Sequence, residues 1–240
     1  MQVSGKTILL TGGTDGIGRE LAGQLKAKGA TVIVTGRTPE RIAAAEAAGY
    51  EVIMADLSSQ AGVDAILTAV KGRDIDILIN NAGLGSDHDF REAMPDLADN
   101  DRCIAANLKA PIHLITNLMP VLKSRPVAMI VNVTSGLAIA PRAGGPIYCA
   151  TKAGLRSYTL ALREQMKNSR VHVLEVLPPV VETKLTAGRG SRKMSAQACA
   201  AEIVQAIEAN AKEANVGMTK ILRLVESISP ALARKIMIRF

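Results

Sequence analysis

Short apolar runs alternate with stretches of helical periodicity along most of the chain. The runs Thr7–Thr11, Thr31–Thr35, Glu51–Ala55, Ile75–Asn80, Ala128–Val133 and His172–Leu177 are rich in Ile, Val and Leu and show little alternation of period two. Strands of that kind are buried on both faces, as in a parallel sheet. The intervening segments predict helices. One covers Gly18–Lys28. A second opens at Thr38-Pro39-Glu40, with Thr as cap and Pro at the first helical position, and closes at Gly49. A later one starts near Ser195. Repeated strand–helix units predict an α/β fold, a doubly wound parallel sheet flanked by helices with right-handed crossovers. No linker, repeat or low-complexity segment interrupts residues 1–214, which are expected to form one domain.

Residues 215–240 differ in character, as an extension of that domain. Asn215–Thr219 is expected to add a short strand. Ile221, Leu224, Val225 and Ile228 then mark one helical face, Pro230 breaks it, and Leu232, Ile236 and Phe240 mark a second. Charge separates this piece further. The 240-residue chain carries a formal net charge of +7, from 29 Lys and Arg against 22 Asp and Glu. Five basic residues (Lys220, Arg223, Arg234, Lys235, Arg239) against Glu226 place +4 of it in the tail. Nucleic acid is therefore not expected as a partner, and an aromatic content of 2% leaves few platforms for base stacking. The tail either docks on the core or on a neighbouring subunit, or touches a membrane surface, since basic amphipathic helices bind anionic lipid.

Cys103, Cys149 and Cys199 are odd in number and widely spaced, so neither a disulfide framework nor a zinc site is expected. The expected compartment is the cytoplasm. After Lys6 the chain enters Thr7–Leu10 rather than a signal peptide, and no apolar run approaches the ~20 residues that span a bilayer.

The chemistry starts at Thr11-Gly12-Gly13-Thr14-Asp15-Gly16-Ile17-Gly18, between the first strand and the first helix. Glycines there allow a tight turn and close approach of a pyrophosphate, which the helix N-terminus favours. Strand–turn–helix context makes this a Rossmann-fold nucleotide cradle, with Gly12, Thr14, Asp15, Gly16, Ile17 and Gly18 as cofactor-binding residues. The second strand ends in Thr35-Gly36-Arg37. An acidic residue near this point would suit a free ribose 2′-OH, whereas Arg37 suits a 2′-phosphate. NADP(H) is favoured and NAD(H) is possible, with Asp15 opposing Arg37 at the same phosphate.

Four further features follow in order: Asp56-Leu57, Asn80-Asn81-Ala82-Gly83, Asn107 in Asn107-Leu108-Lys109-Ala110-Pro111, and Ser135 ahead of Tyr148 and Lys152. Together with the glycine turn, this ordered set resembles the short-chain dehydrogenase/reductase family over about residues 4–210. Val133–Ala138, Tyr148–Ala153 and Leu177–Thr183 resemble its DltE-like branch, with Pro179 where the wider family usually has Gly. The resemblance implies an NAD(P)-dependent oxidoreductase of carbonyl or hydroxyl groups. It implies a catalytic set of Ser135, Tyr148, Lys152 and Asn107, the last in a water-mediated proton relay reaching Lys152. It places Asp56, Leu57, Asn81, Ala82, Gly83, Tyr148, Lys152, Pro178, Val181 and Thr183 along the cofactor. Homodimers or homotetramers are implied too.

The residue types suit that chemistry. Free Tyr has a pKa of about 10, and Lys152 one helical turn later lies on the same face, where its charge favours the phenolate. Tyr148 can then act as general acid or base, and the Ser135 hydroxyl can hold the substrate oxygen. A non-catalytic nicotinamide sensor is the alternative, although a sensor has no need of the whole set. His88, His113 and Cys149 are expected to be structural, and no metal is expected. The segment Val180–Lys193, with Lys184, Arg189, Arg192 and Lys193, is expected to be a solvated lid or to favour an anionic substrate.

Overall fold

The computed structural model describes residues 1–188 and 193–239. Arg189, Arg192 and Phe240 lie outside the described residues. Seven strands form one sheet: β1 (Thr7–Leu10), β2 (Thr31–Gly36), β3 (Glu51–Met54), β4 (Ile77–Asn80), β5 (Ala128–Val133), β6 (Val171–Leu177) and β7 (Glu213–Asn215). Their order is β3-β2-β1-β4-β5-β6-β7, and every pairing is parallel.

Helices α1 (Gly16–Ala27), α2 (Pro39–Ala47), α3 (Gln60–Ala69), α4 (Leu97–Ile104), α5 (Ala110–Ser124), α6 (Pro146–Gln165) and α7 (Ala196–Glu208) make the crossovers. The lack of alternation in the strands is explained by two cores. Ile8 and Leu10 pack toward Leu21, Leu25, Ile203 and Ile207 of α1 and α7. Leu9, between them, points to Ile66, Leu114 and Leu118 of α3 and α5 on the other face. Most of the expected punctuation appears: Pro39 opens α2, although Thr38 before it makes no side-chain capping bond, Gly49 ends its turn with φ +75°, and Ser195 caps α7 by accepting from the Ala198 N–H at 3.1 Å.

The first helix opens two residues early, at Gly16, and two strands move by two residues or more. Strand β4 starts at Ile77; just before it the Asp76 backbone still bonds to Thr7 and Met129, each at 2.9 Å, while its carboxylate accepts from the Thr7 N–H and from Arg125 Nε, each at 3.0 Å. The seventh strand is Glu213–Asn215 rather than Asn215–Thr219. Gly217 turns left-handed at φ +51° and Thr219 opens the next helix.

The tail forms α8 (Thr219–Ile228) and α9 (Pro230–Met237), with Ser229 capping the second. It docks on the loop between β5 and α6. A Cβ at Gly136 would lie 3.2 Å from Thr219 Oγ1, and the Ala143 N–H donates to the Ile238 carbonyl at 3.1 Å. Among the described residues no helix is long and apolar enough to cross a membrane.

Parallel strands put all their carboxyl ends on one edge. The strand order runs outward in both directions from the β1–β4 pair. That switch point opens a crevice where ligands bind in sheets of this kind.

Candidate active site

A groove of about 460 Å³ lies on that edge. Every residue expected at a cofactor lines it: Gly12, Thr14, Asp15, Gly16, Ile17, Gly18, Arg37, Asp56, Leu57, Asn81, Ala82, Gly83, Tyr148, Lys152, Pro178, Val181 and Thr183. Ser135 lines it as well.

The floor is built by close backbone approach. Gly12 sits at φ +67°, and a Cβ there would lie 3.0 Å from Ala82 Cα. A Cβ on Gly18 would fall 2.1 Å from the Gly12 carbonyl oxygen. Thr11 and Asn81 clasp the two loops that flank the crevice. Thr11 Oγ1 accepts from the N–H groups of Asn81 and Ala82 at 3.0 and 3.1 Å, and Asn81 Nδ2 donates to the Thr11 carbonyl at 3.0 Å. The N-terminus of α1 is thereby left open to a ligand, with its unpaired N–H groups and positive end of the dipole.

At the end of β2, Gly36 stands where an acidic residue would suit a free ribose. A Cβ at Gly36 would meet the Thr14 methyl at 2.6 Å, so any side chain there would have to displace Thr14. Asp15, the feared opponent of Arg37, is paired with Arg41 Nη1 at 2.7 Å. Arg41, in the first turn of α2, lines the groove and was not singled out from the sequence, although it follows Arg37 by only four residues. Arg37 Nη1 lies 3.8 Å from Asp56. Burial works to raise the Asp56 pKa, but hydrogen bonds from the Ser58 N–H and hydroxyl, with Arg37 and Arg102 nearby, hold it below the ordinary value. Two guanidinium groups thus face this end of the groove against two carboxylates.

At the other end, Tyr148 and Lys152 lie one turn apart on the first turns of α6. Lys152 is only 3% exposed and donates from Nζ to the Val133 carbonyl at 2.9 Å. Burial pulls its pKa down from 10.5 to about 8. Its ammonium lies 5.8 Å from the centroid of the Tyr148 ring. Ser135 lies two residues past the end of β5, and its Oγ accepts from the Leu137 N–H at 3.1 Å.

Asn107 does not line the groove. It sits behind it, on a single π-helical turn, Ala105–Lys109, joining α4 to α5. Such turns recur at functional sites. Asn107 Oδ1 accepts from the Leu84 N–H at 2.7 Å, and Nδ2 donates to the Leu84 carbonyl at 2.9 Å and to Thr151 Oγ1 at 3.1 Å. It therefore ties the loop after β4 to α6. Asn107 Oδ1 and Lys152 Nζ both converge on Gly83, where a Cβ would lie 3.2 and 3.5 Å from them. Cys103, next to Asn107 at 3.3 Å, and Thr151 belong to this cluster but carried no recognisable signal in the sequence.

Of the remaining candidates, His88, His113, Cys149 and Lys193 do not line the groove. Cys149 is buried, and burial raises its thiol pKa. His113 lies half-buried on α5. His88 packs edge-on against Phe90 at 4.9 Å. Lys193 donates to the Thr186 carbonyl at 2.6 Å, and Lys184 lines the groove.

A glycine cradle at a helix start, an arginine-rich pocket after β2 and a Tyr–Lys pair near a strand-end Ser occur here in one crevice. A profile of the short chain dehydrogenase family matches residues 6–194. The chain belongs to the short chain dehydrogenase family. Among its relatives, the oxidoreductase DltE of Bacillus subtilis is 39% identical over 189 residues, covering 77% of this chain and 75% of that protein. Serine 3-dehydrogenase of Rhizobium radiobacter is 33% identical over 185 residues, covering 75% and 74%. A short chain dehydrogenase from Burkholderia cenocepacia, solved in complex with NADP, superposes with a TM-score of 0.87 at 25% identity and covers 99% of each chain. This short chain dehydrogenase is thus an oxidoreductase by family, and the likeness to the Burkholderia enzyme includes the tail.

Proposed function

We propose that this enzyme interconverts a carbonyl and an alcohol with NADP(H), using Tyr148 as the proton donor and acceptor. The observation that carries the reading is the buried Lys152 ammonium set behind Tyr148 in the same groove as Ser135.

The nucleotide fits the groove on structural grounds. Gly12 and Gly18 leave no room for a side chain where backbone must approach a pyrophosphate, and the α1 N-terminus faces it. Arg37 and Arg41 would hold the 2′-phosphate beside Thr14 and Thr38. The bound nicotinamide supplies or accepts the hydride.

The chain's own residues handle the proton. In reduction the Tyr148 hydroxyl donates to the substrate oxygen; in oxidation the phenolate takes the proton back. Lys152 is protonated at neutral pH and favours that phenolate. It is oriented by Val133, so its charge is fixed in place rather than mobile. Ser135 holds the substrate oxygen. Asn107 and Thr151 brace the first turn of α6: Thr151 Oγ1 donates to the Tyr148 carbonyl at 2.8 Å. From Gly83, Asn107 also sits where a relay to Lys152 would pass.

Tyr148→Phe tests the reading. Absorbance of NADPH is followed against a panel of carbonyls and alcohols, and NADPH binding by fluorescence titration. Turnover is expected to fall by about 10²–10⁴-fold with cofactor binding largely intact. Undiminished turnover would remove Tyr148 from the role.

A further inference from the structure

Where apolar side chains stand exposed is uneven. Among the described residues, eleven of the fifteen large ones that are exposed come from residues 90–97, Leu185 and residues 218–238. The other four are scattered singly, as on most proteins. All three segments follow carboxyl ends of parallel strands: β4, β6 and β7. The tail also stays at that edge at both ends, with Thr219 against Gly136 and Ile238 bonded to Ala143. Residues 136 and 143 belong to the loop between Ser135 and Tyr148. Among the described residues, most of the exposed apolar surface therefore collects at the edge that carries the mouth of the site.

The tail helices bury only part of their apolar content. Thr219 and Ala233 are buried, while Leu224 is 61% and Ile228 78% exposed, joined by Ile221, Leu232, Ile236 and Ile238. Cations lie among them. Arg234, Lys235 and Arg239 have no acidic partner among the described residues, whereas Lys220 and Arg223 are paired with Glu202, Glu213 and Glu226. An apolar face with uncompensated positive charge matches an anionic lipid surface, which attracts each basic residue and accepts the apolar side chains. A second copy fits less well. Pairing this face across a two-fold axis would bring the same cations together.

We propose that α8 and α9, with the apolar rim at residues 90–97 and Leu185, form a docking face for an anionic membrane surface. Docking turns the mouth of the groove toward the lipid. The proposal stands on surface and charge, so it does not depend on the role assigned to Tyr148.

Cosedimentation of the full chain tests it, with vesicles of phosphatidylcholine alone and of phosphatidylcholine mixed with phosphatidylglycerol. Partitioning is expected to be at least about tenfold stronger on the mixed vesicles and to weaken with salt. Arg234→Glu with Lys235→Glu, and separately Ile228→Ser with Ile236→Ser, should each lower it by about tenfold or more. NADPH titration of each variant shows whether the fold and groove survive. If Tyr148→Phe stayed active while vesicles still bound, the mechanism would fail and the docking stand. Absence of binding to the mixed vesicles would overturn the proposal. So would equal binding by wild type and both variants. Self-association that the Ile variant abolishes, without lipid binding, would instead assign the face to a second copy.

Discussion

Lys152→Met should make the protein more stable while it destroys turnover. The reason is the cost of a buried charge. Lys152 is 3% exposed, and burial lowers its pKa from 10.5 to about 8. A gap of that size corresponds to about 3 kcal/mol. The folded pKa lies below the unfolded one. Between about pH 8 and pH 10.5 the unfolded chain therefore holds the extra proton, and stability rises with pH across that window. Below pH ~8 both states are protonated and the whole penalty is present. Methionine removes the charge but leaves the Val133 carbonyl without its 2.9 Å donor. That loss costs about 1 kcal/mol. The net expectation is a variant about 2 kcal/mol more stable than wild type at pH ~7, with the order reversed by about 1 kcal/mol near pH ~10.5. Urea unfolding of both proteins without added nucleotide, at pH 7 and through the window above pH ~8, measures the difference directly. For a chain of this size the neutral-pH gain is about 4–8 °C in Tm. A difference that does not change with pH, or a less stable variant at pH ~7, would show that Lys152 is not a buried charge held against its solvation.

Three other substitutions probe separate parts of the groove and its supports. Arg41→Ala leaves Asp15 uncompensated beside Arg37, so NADPH affinity should fall by about tenfold or more with NADH affinity nearly unchanged, as calorimetric titration would show; Asp15→Asn in the same background should restore part of it. Gly18→Ala places a Cβ 2.1 Å from the Gly12 carbonyl oxygen, two backbone segments that cannot both hold position. It should destabilise by about 1–3 kcal/mol and abolish NADPH binding, measured by urea unfolding and fluorescence. Arg156→Met strips Glu175, which is wholly buried, of a 2.6 Å ion pair. Destabilisation of about 3–5 kcal/mol is expected, with Glu175→Gln added to the same variant recovering a part.

Much of the fold was legible because its signals are local. Unalternating Ile, Val and Leu runs mark strands covered on both faces, and Pro39, Gly49 and Ser195 punctuate helices through a fixed φ, a positive φ and a capping hydroxyl. The groove was legible for a related reason. Gly12 and Gly18 are demanded by contacts at 3.0 and 2.1 Å, so the spacing of the glycines carries the geometry with it. Distance in space was not legible. Asn107 bonds to Leu84 and Thr151, partners 23 and 44 residues away, and a lone Asn says nothing of either. The seventh strand was displaced because its three residues are paired through β6 rather than by their own pattern, while Gly217 turns the chain out of the sheet.

Asp15 and the tail illustrate the same limit in opposite directions. Read along the chain, Asp15 sits inside the phosphate turn and argues against a second phosphate. Folding brings Arg41 to within 2.7 Å of it, and the carboxylate becomes the partner of a guanidinium that points into the groove. An apparent objection to NADP(H) thus turns into a second reason for expecting it. In the tail the net charge of +4 is plain from composition, but it divides only in the fold. Lys220 and Arg223 are paired with Glu202 of α7 and Glu213 of β7, which fasten α8 to the sheet edge, and Arg223 also with Glu226 of its own helix. The three cations left over, Arg234, Lys235 and Arg239, stand beside the exposed apolar side chains of the tail. Charge that holds α8 in place and charge available to an outside partner are therefore different residues, and mutating one set should not imitate mutating the other.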